Sequence, residues 1–212
     1  MTHPSAPQRA FTLLEMMLSV AVFVLLVTSA FTLVGATTEL MTEVSDTQNA
    51  SARRLRFLET CRVAFETMSA ESNLEFHYRD RGAGRFDTYL AFVDSPDAFD
   101  FGMNTRDEIT RVVLAAEIQS AGFIRTGVYY LDEIDFEEAE KNDFQLSSLD
   151  APYVELIGRM RQLSWRFYDP LAREWKQTLD GNLRTNLAEL TFQIDQATPP
   201  IRGVFWHLNG NQ

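Results

Sequence analysis

No charged residue interrupts the chain between Glu15 and Glu39, and this one stretch constrains the molecule more than any average over its 212 residues. From Met16 to Val34 only Ser19, Thr28, Ser29 and Thr32 are polar. A helix rises ~1.5 Å per residue, so the uncharged segment 16–38 would reach roughly 35 Å, enough to cross the ~30 Å hydrocarbon layer of a bilayer. A secretory signal has an apolar core of about 7–15 residues followed by a small-residue cleavage site. This run is longer and continues into helical sequence. A membrane-spanning helix is therefore the expectation, with a cleaved signal and a buried core helix as the alternatives.

Charge separates this segment from the rest of the chain. Arg9 is the only Lys or Arg before Arg53, and Arg9 and Glu15 cancel, so the whole formal charge of −11 belongs to the chain after residue 35. A lightly basic leader before the apolar run and an acidic body after it place the N-terminus in the cytoplasm and the body across the membrane. The acidic body repels polyanions, which argues against nucleic acid as a partner. A lone cysteine, Cys61, excludes an intramolecular disulfide framework, and three dispersed histidines (His3, His77, His207) make a histidine-rich metal centre a poor reading. Glu15 is the anomaly. A carboxylate in a spanning helix costs up to ~3 kcal/mol near the bilayer centre and less at the interface, so it either marks the interfacial edge or has a partner.

The string Arg9-Ala10-Phe11-Thr12-Leu13-Leu14-Glu15-Met16-Met17-Leu18 resembles the processing site of type IV pilins and type II secretion pseudopilins. The resemblance implies cleavage by a prepilin peptidase between Ala10 and Phe11, N-methylation of Phe11, and a role for Glu15 as the fifth residue of the mature chain. The family's usual residue before the cut is glycine; here it is Ala10, the next smallest side chain. The implied chemistry is coherent: the new amine of Phe11 is a positive charge at the membrane edge, and Glu15 of a neighbouring subunit neutralises it at one axial offset. A buried charge is tolerable when paired and expensive when unpaired.

Beyond Gly35 helical character is expected to continue in one long N-terminal helix, with a weak or partly melted connection over the Thr- and Ser-rich stretch as far as Asn49 as the alternative. Helical periodicity is then strong: Phe57, Cys61, Ala64, Phe65 and Met68 form one apolar stripe, with Arg53, Arg54, Arg56, Glu59, Arg62 and Glu66 on the remainder. Cys61 reads as a small buried hydrophobe. After Ser72 the period changes. Strands are expected at 74–78 and 86–93 about the turn Gly82-Ala83-Gly84, at 109–116 and 123–131 about Gly122, and at 163–168, 190–194 and 204–208, with Asp169-Pro170 as a turn. The expected fold is α+β: a long N-terminal helix packed on antiparallel sheet, as in pilins. The expected organisation is a leader over 1–10, a transmembrane and assembly segment over 11–35, and a periplasmic domain over 36–212. Loose similarity over most of the chain, including Arg53-Arg54-Leu55-Arg56 and a late strand followed by Trp175 in a turn, points within the superfamily to the J-type minor pseudopilin.

Other candidate sites have plainer readings. Asp132 to Asp143 holds seven acids and one base, Lys141. Carboxylates suit calcium, but EF-hand spacing is absent, and the run reads as a solvated loop or short helix. Asp94, Asp97 and Asp100 read as turn formers around Pro96. Gly82-Ala83-Gly84, flanked by Arg79, Arg81 and Arg85, lacks the ending of a P-loop and reads as a basic hairpin tip. Tyr129, Tyr130, Trp165, Tyr168, Trp175 and Trp206 read as mostly core, with one or two at an interface. Neither a catalytic motif around His77 or His207 nor a cofactor motif is present.

The expectation is thus a non-enzymatic minor pseudopilin of the type II secretion pseudopilus, in the tip complex. Its expected partners are the other minor and major pseudopilins, prepilin peptidase, the inner-membrane assembly platform and the bilayer. The alternatives are a minor pilin of a type IV pilus for adhesion, motility or DNA uptake, and a signal-anchored periplasmic enzyme.

Overall fold

The computed structural model describes residues 12–69, 71–102, 109–179, 185–196 and 198–206. Helix α1 runs from Leu13 to Thr67; it is followed by β1 (Asn73–Asp80), β2 (Phe86–Val93), β3 (Arg111–Ile118), β4 (Ile124–Leu131), α2 (Glu133–Lys141), β5 (Tyr153–Met160), β6 (Gln162–Asp169), β7 (Glu174–Lys176), β8 (Leu187–Gln193) and β9 (Ile201–Trp206). Contacts divide the chain into two units, Met1–Ala52 and Arg53–Gln212. The α+β architecture is the one the sequence implies, although the single expected sheet is in fact two.

In the first unit the segment 35–49 is helical throughout, as the reading of one long helix implies, and not a melted connection. Its threonines donate to carbonyls one turn back, Thr38 to Val34 at 2.8 Å, Thr42 to Thr38 at 3.0 Å and Thr47 to Glu43 at 2.9 Å. That geometry lets a hydroxyl-rich segment keep its helical backbone.

In the second unit β1 to β5 form an antiparallel sheet in sequence order, and β7-β6-β8-β9 form a second. The register aligns Phe76, Leu90, Leu114, Val128 and Val154 across the first sheet on its inner face. The other face carries Tyr89, Ala91, Val113, Ala115 and Tyr129, and it is covered by Phe136 and Ala139 of α2 with Phe144 and Leu146 beyond. Burial on both faces is why β2 and β3 read as near-continuous apolar runs rather than as alternating strands. The second sheet buries Trp165, Phe167, Leu190, Phe192 and Phe205 on one face only.

The C-terminal part of α1 fills the space between the sheets with the apolar stripe seen in the sequence. Phe57 meets Phe192 edge-on at 5.0 Å, and Phe65 meets Phe92 of the first sheet at 5.2 Å and stacks on Phe205 of the second at 5.0 Å. The helix approaches β9 closely at Gly203, where an added Cβ would meet the end of the Leu58 side chain and push it aside. Cys61 is completely buried in this stripe, and burial pushes its thiol pKa up. Native protein at pH 8 is therefore expected to leave Cys61 unlabelled by a thiol reagent, with full reaction in guanidinium; prompt labelling of the native protein would refute the packing.

The Asp169-Pro170 turn is stabilised by the carboxylate of Asp169. It accepts from the Leu171 and Ala172 amides at 2.9 and 3.0 Å and pairs with Lys176 at 2.6 Å. The Lys176 hydrogen bond, then the Ala172 amide, holds this carboxyl below its ordinary pKa. A depressed folded pKa gives stability that is complete above the unfolded value of about 3.9 and disappears as pH falls from there through the folded value. Urea titrations from pH 7 to pH 2 should show Asp169→Asn less stable at neutral pH and converging on the parent in acid. A constant gap at all pH values would count against the linkage.

The strands at 109–116 and 190–194 are shifted by two or three residues toward 111–118 and 187–193, and the strand expected over 204–208 is β9, ending at Trp206 with 207–208 outside the described residues. Trp175, expected in a turn, lies in β7 opposite Tyr168, with ring centroids 5.5 Å apart.

Candidate functional site

Glu15 is set by the first turn of α1. Thr12 lies immediately before the helix, and its amide and hydroxyl both donate to Oε2 of Glu15, at 2.9 and 3.0 Å. The Glu15 amide in turn donates to Thr12 Oγ1 at 3.3 Å. This is a reciprocal capping box, Thr-x-x-Glu, which satisfies backbone donors that a helix start otherwise leaves open. The carboxylate is therefore fixed at the helix entrance, beside the positive end of the helix dipole. Thr12 is the functional residue that sequence reasoning missed. Its signal is a hydroxyl residue three positions before a glutamate, inside a string whose resemblance to a processing site says nothing of capping.

Behind this entrance the helix is exposed on all sides. Leu14 and Phe31 are each 74% exposed, and the whole run between them is exposed as well. Among the described residues α1 is the one helix long and apolar enough to cross a membrane. Three of the four polar residues of the run are satisfied internally: Ser19 donates to the Glu15 carbonyl at 2.8 Å, Thr28 to Val24 at 2.8 Å and Thr32 to Thr28 at 2.9 Å. Internal satisfaction is what a lipid environment demands of such groups. An apolar surface this continuous marks a segment made for lipid or for other protein rather than for water.

Arg9, Ala10 and Phe11 lie outside the described residues, as does His207. His77 is on β1, stacked on Phe144 at 4.1 Å with its Nε2 3.6 Å from Glu75. The acidic run 132–143 is largely the helix α2, capped by Asp132, whose carboxylate accepts from the Asp135 amide. Its ion pairs include Arg111 with Glu133, Lys141 with Glu137 and Arg79 with Asp143. Among the described residues no group of three or more His, Cys, Asp or Glu side chains is arranged to hold a metal ion. The tip Gly82-Ala83-Gly84 is the β1–β2 turn; Arg79 pairs with Asp143 and Arg81 with Asp87. Gly102 donates to Asp100 in a turn of the kind expected around Pro96. Tyr129, Tyr130 and Trp165 are core, whereas Trp206 is 64% exposed. Glu189, which no sequence pattern singles out, is buried on the outer face of the second sheet between Arg166 and Arg202.

Residues 5–31 match the family model of the prokaryotic N-terminal methylation motif. The match covers the stretch in which the capping box and the exposed apolar helix begin, and it supports a type IV pilin-like chain with a prepilin-type N-terminus. Such a motif implies processing by prepilin peptidase and assembly with other pilin-like subunits, and the helix behind it fits a single-pass inner-membrane anchor. No curated protein matches the chain as a relative.

Proposed function

We propose that this chain is a minor pseudopilin, a structural rather than catalytic subunit of a type II secretion pseudopilus. Prepilin peptidase would cut between Ala10 and Phe11 and methylate Phe11. Residues 11–35 would lie in the inner membrane, with the body from 36 onward in the periplasm. The subunit would then enter the fibre, at its tip, through α1, supported by the assembly platform and alongside the other pseudopilins. The observation that carries this reading is the pinned carboxylate of Glu15 at the mouth of an exposed apolar helix, within a prepilin-type motif.

The capping box adds a mechanistic detail. One carboxylate oxygen of Glu15 is engaged by its own Thr12, and this orients the group before a neighbour arrives. The methylated amine of an adjacent subunit then meets a carboxylate that is already aimed and loses little side-chain freedom on pairing.

Two measurements test the reading. Co-expression with prepilin peptidase should yield a chain beginning at a methylated Phe11 by intact mass, and an unchanged mass would refute processing. Deleting the gene in its native host should leave exoproteins in the periplasm with twitching and pilus-dependent uptake intact. The opposite pattern would assign the chain to a type IV pilus instead.

A further inference from the structure

The inner face of the first sheet extends past the second sheet and leaves a cleft of about 570 Å³, walled on the far side by the start of β6. Its floor is apolar. Tyr78 and Phe86 are 57% and 45% exposed there and meet edge-on at 5.9 Å, and Ile118, Ile124 and Leu163 are half-buried beside them. A volume of this size is within the ~300–1,000 Å³ typical of ligand clefts.

The charges around the cleft are of one sign. Arg85 and Arg161 line it, and no acid does. Arg161 lies over the Phe123 ring at 5.0 Å, and Arg159 lies over the same ring at 4.2 Å, so the guanidiniums are positioned by an aromatic face. Among the described residues seven arginines hold a carboxylate within 4.0 Å; Arg85 and Arg161, like Arg56, Arg159 and Arg173 elsewhere, are not among them. In a chain with 30 acids and 19 bases, carboxylates are abundant. Two arginines left without one at a single apolar cleft form a surface complementary to an outside acid.

We propose that this cleft docks an extended segment of a partner protein in which an aromatic or aliphatic side chain is flanked by carboxylates. The apolar side chain enters between Tyr78, Phe86 and Leu163, and the carboxylates reach Arg85 and Arg161. Docking of this kind needs nothing from the N-terminal motif and stands whether or not the chain is processed.

The test uses the full chain in zwitterionic lipid nanodiscs. The probe is a fluorescein-labelled peptide, Ser-Asp-Phe-Asp-Leu-Glu-Ser, compared with a counterpart carrying lysine at its three acidic positions. Saturable anisotropy is expected for the acidic probe, with affinity about tenfold or more above the basic one and falling as salt rises. Arg161→Glu and Tyr78→Ser should each weaken binding about tenfold, whereas Arg173→Glu, a charge change outside the cleft, should not. Both altered arginines are exposed, and near-ultraviolet circular dichroism confirms that each variant is folded. Equal binding of the two probes, no saturation by the acidic probe at millimolar concentration, or indifference to Arg161→Glu would overturn the proposal. So would binding of a small anionic dye in the cleft with no peptide binding.

Discussion

Phe65→Ala is expected to destabilise the unit from Arg53 onward by about 3–5 kcal/mol, the usual cost of removing a large aromatic ring from a packed core. The effect should sit at the upper end because this ring joins three layers. It is 2% exposed, touches Phe92 on the first sheet, stacks on Phe205 on the second, and lies 6.1 Å from Trp165. Truncation therefore opens a void where the helix meets both sheets, and the surrounding rigid aromatics limit how far it can close. Total stabilities of about 5–15 kcal/mol mean that such a loss approaches the unfolding threshold. Urea denaturation followed by tryptophan fluorescence measures it, and a shift below about 1 kcal/mol would show that the helix is not the element that locks the sheets together.

Glu15→Leu is expected to do the reverse: it should leave that unit as stable as the parent while lowering recovery of the chain in assembled fibres by roughly a hundredfold. Leaving a cationic amine without a counter-charge in an apolar surround costs up to ~3 kcal/mol, and each ~1.4 kcal/mol is a factor of ten in an equilibrium. Loss of the capping box adds to this locally, and Thr12→Val separates the two contributions. It removes the hydroxyl contacts but keeps the carboxylate, so its effect should be several-fold rather than a hundredfold. Quantitative immunoblotting of sheared fibres provides the comparison. Equal recovery of Glu15→Leu and the parent would remove the carboxylate from the assembly step.

The long helix is legible in the sequence because two independent signals mark it, a missing charge over 16–38 and the stripe from Phe57 to Met68. The stretch between them carries neither signal, because Thr and Ser favour non-helical backbone on average, whereas here their hydroxyls return to the preceding turn. β5 escapes notice for a different reason. Its pairing with β4 shifts register twice near Thr126, so the alternation of Tyr153 to Met160 is broken where a periodic reading would seek it. β7 has only three residues and is defined by what Trp175 and Lys176 meet across the turn, information that is not local. That the strands form two sheets, with α1 packed on both, is a matter of contacts distant in sequence, which no strand's own pattern reveals. At the site, Glu15 stands out by charge alone, and Thr12 is hidden inside a motif that already carries another meaning.

The internal bonding of Ser19, Thr28 and Thr32 has a consequence for how the apolar segment meets its surroundings. With those hydroxyl hydrogens committed to its own backbone, this stretch of the cylinder offers neighbours little beyond methyl groups and rings, which attract without preferring a direction. Rotation about the axis is therefore weakly encoded along the segment. Azimuth has to be dictated from the ends, and at the entrance a single aimed carboxylate serves as the index mark.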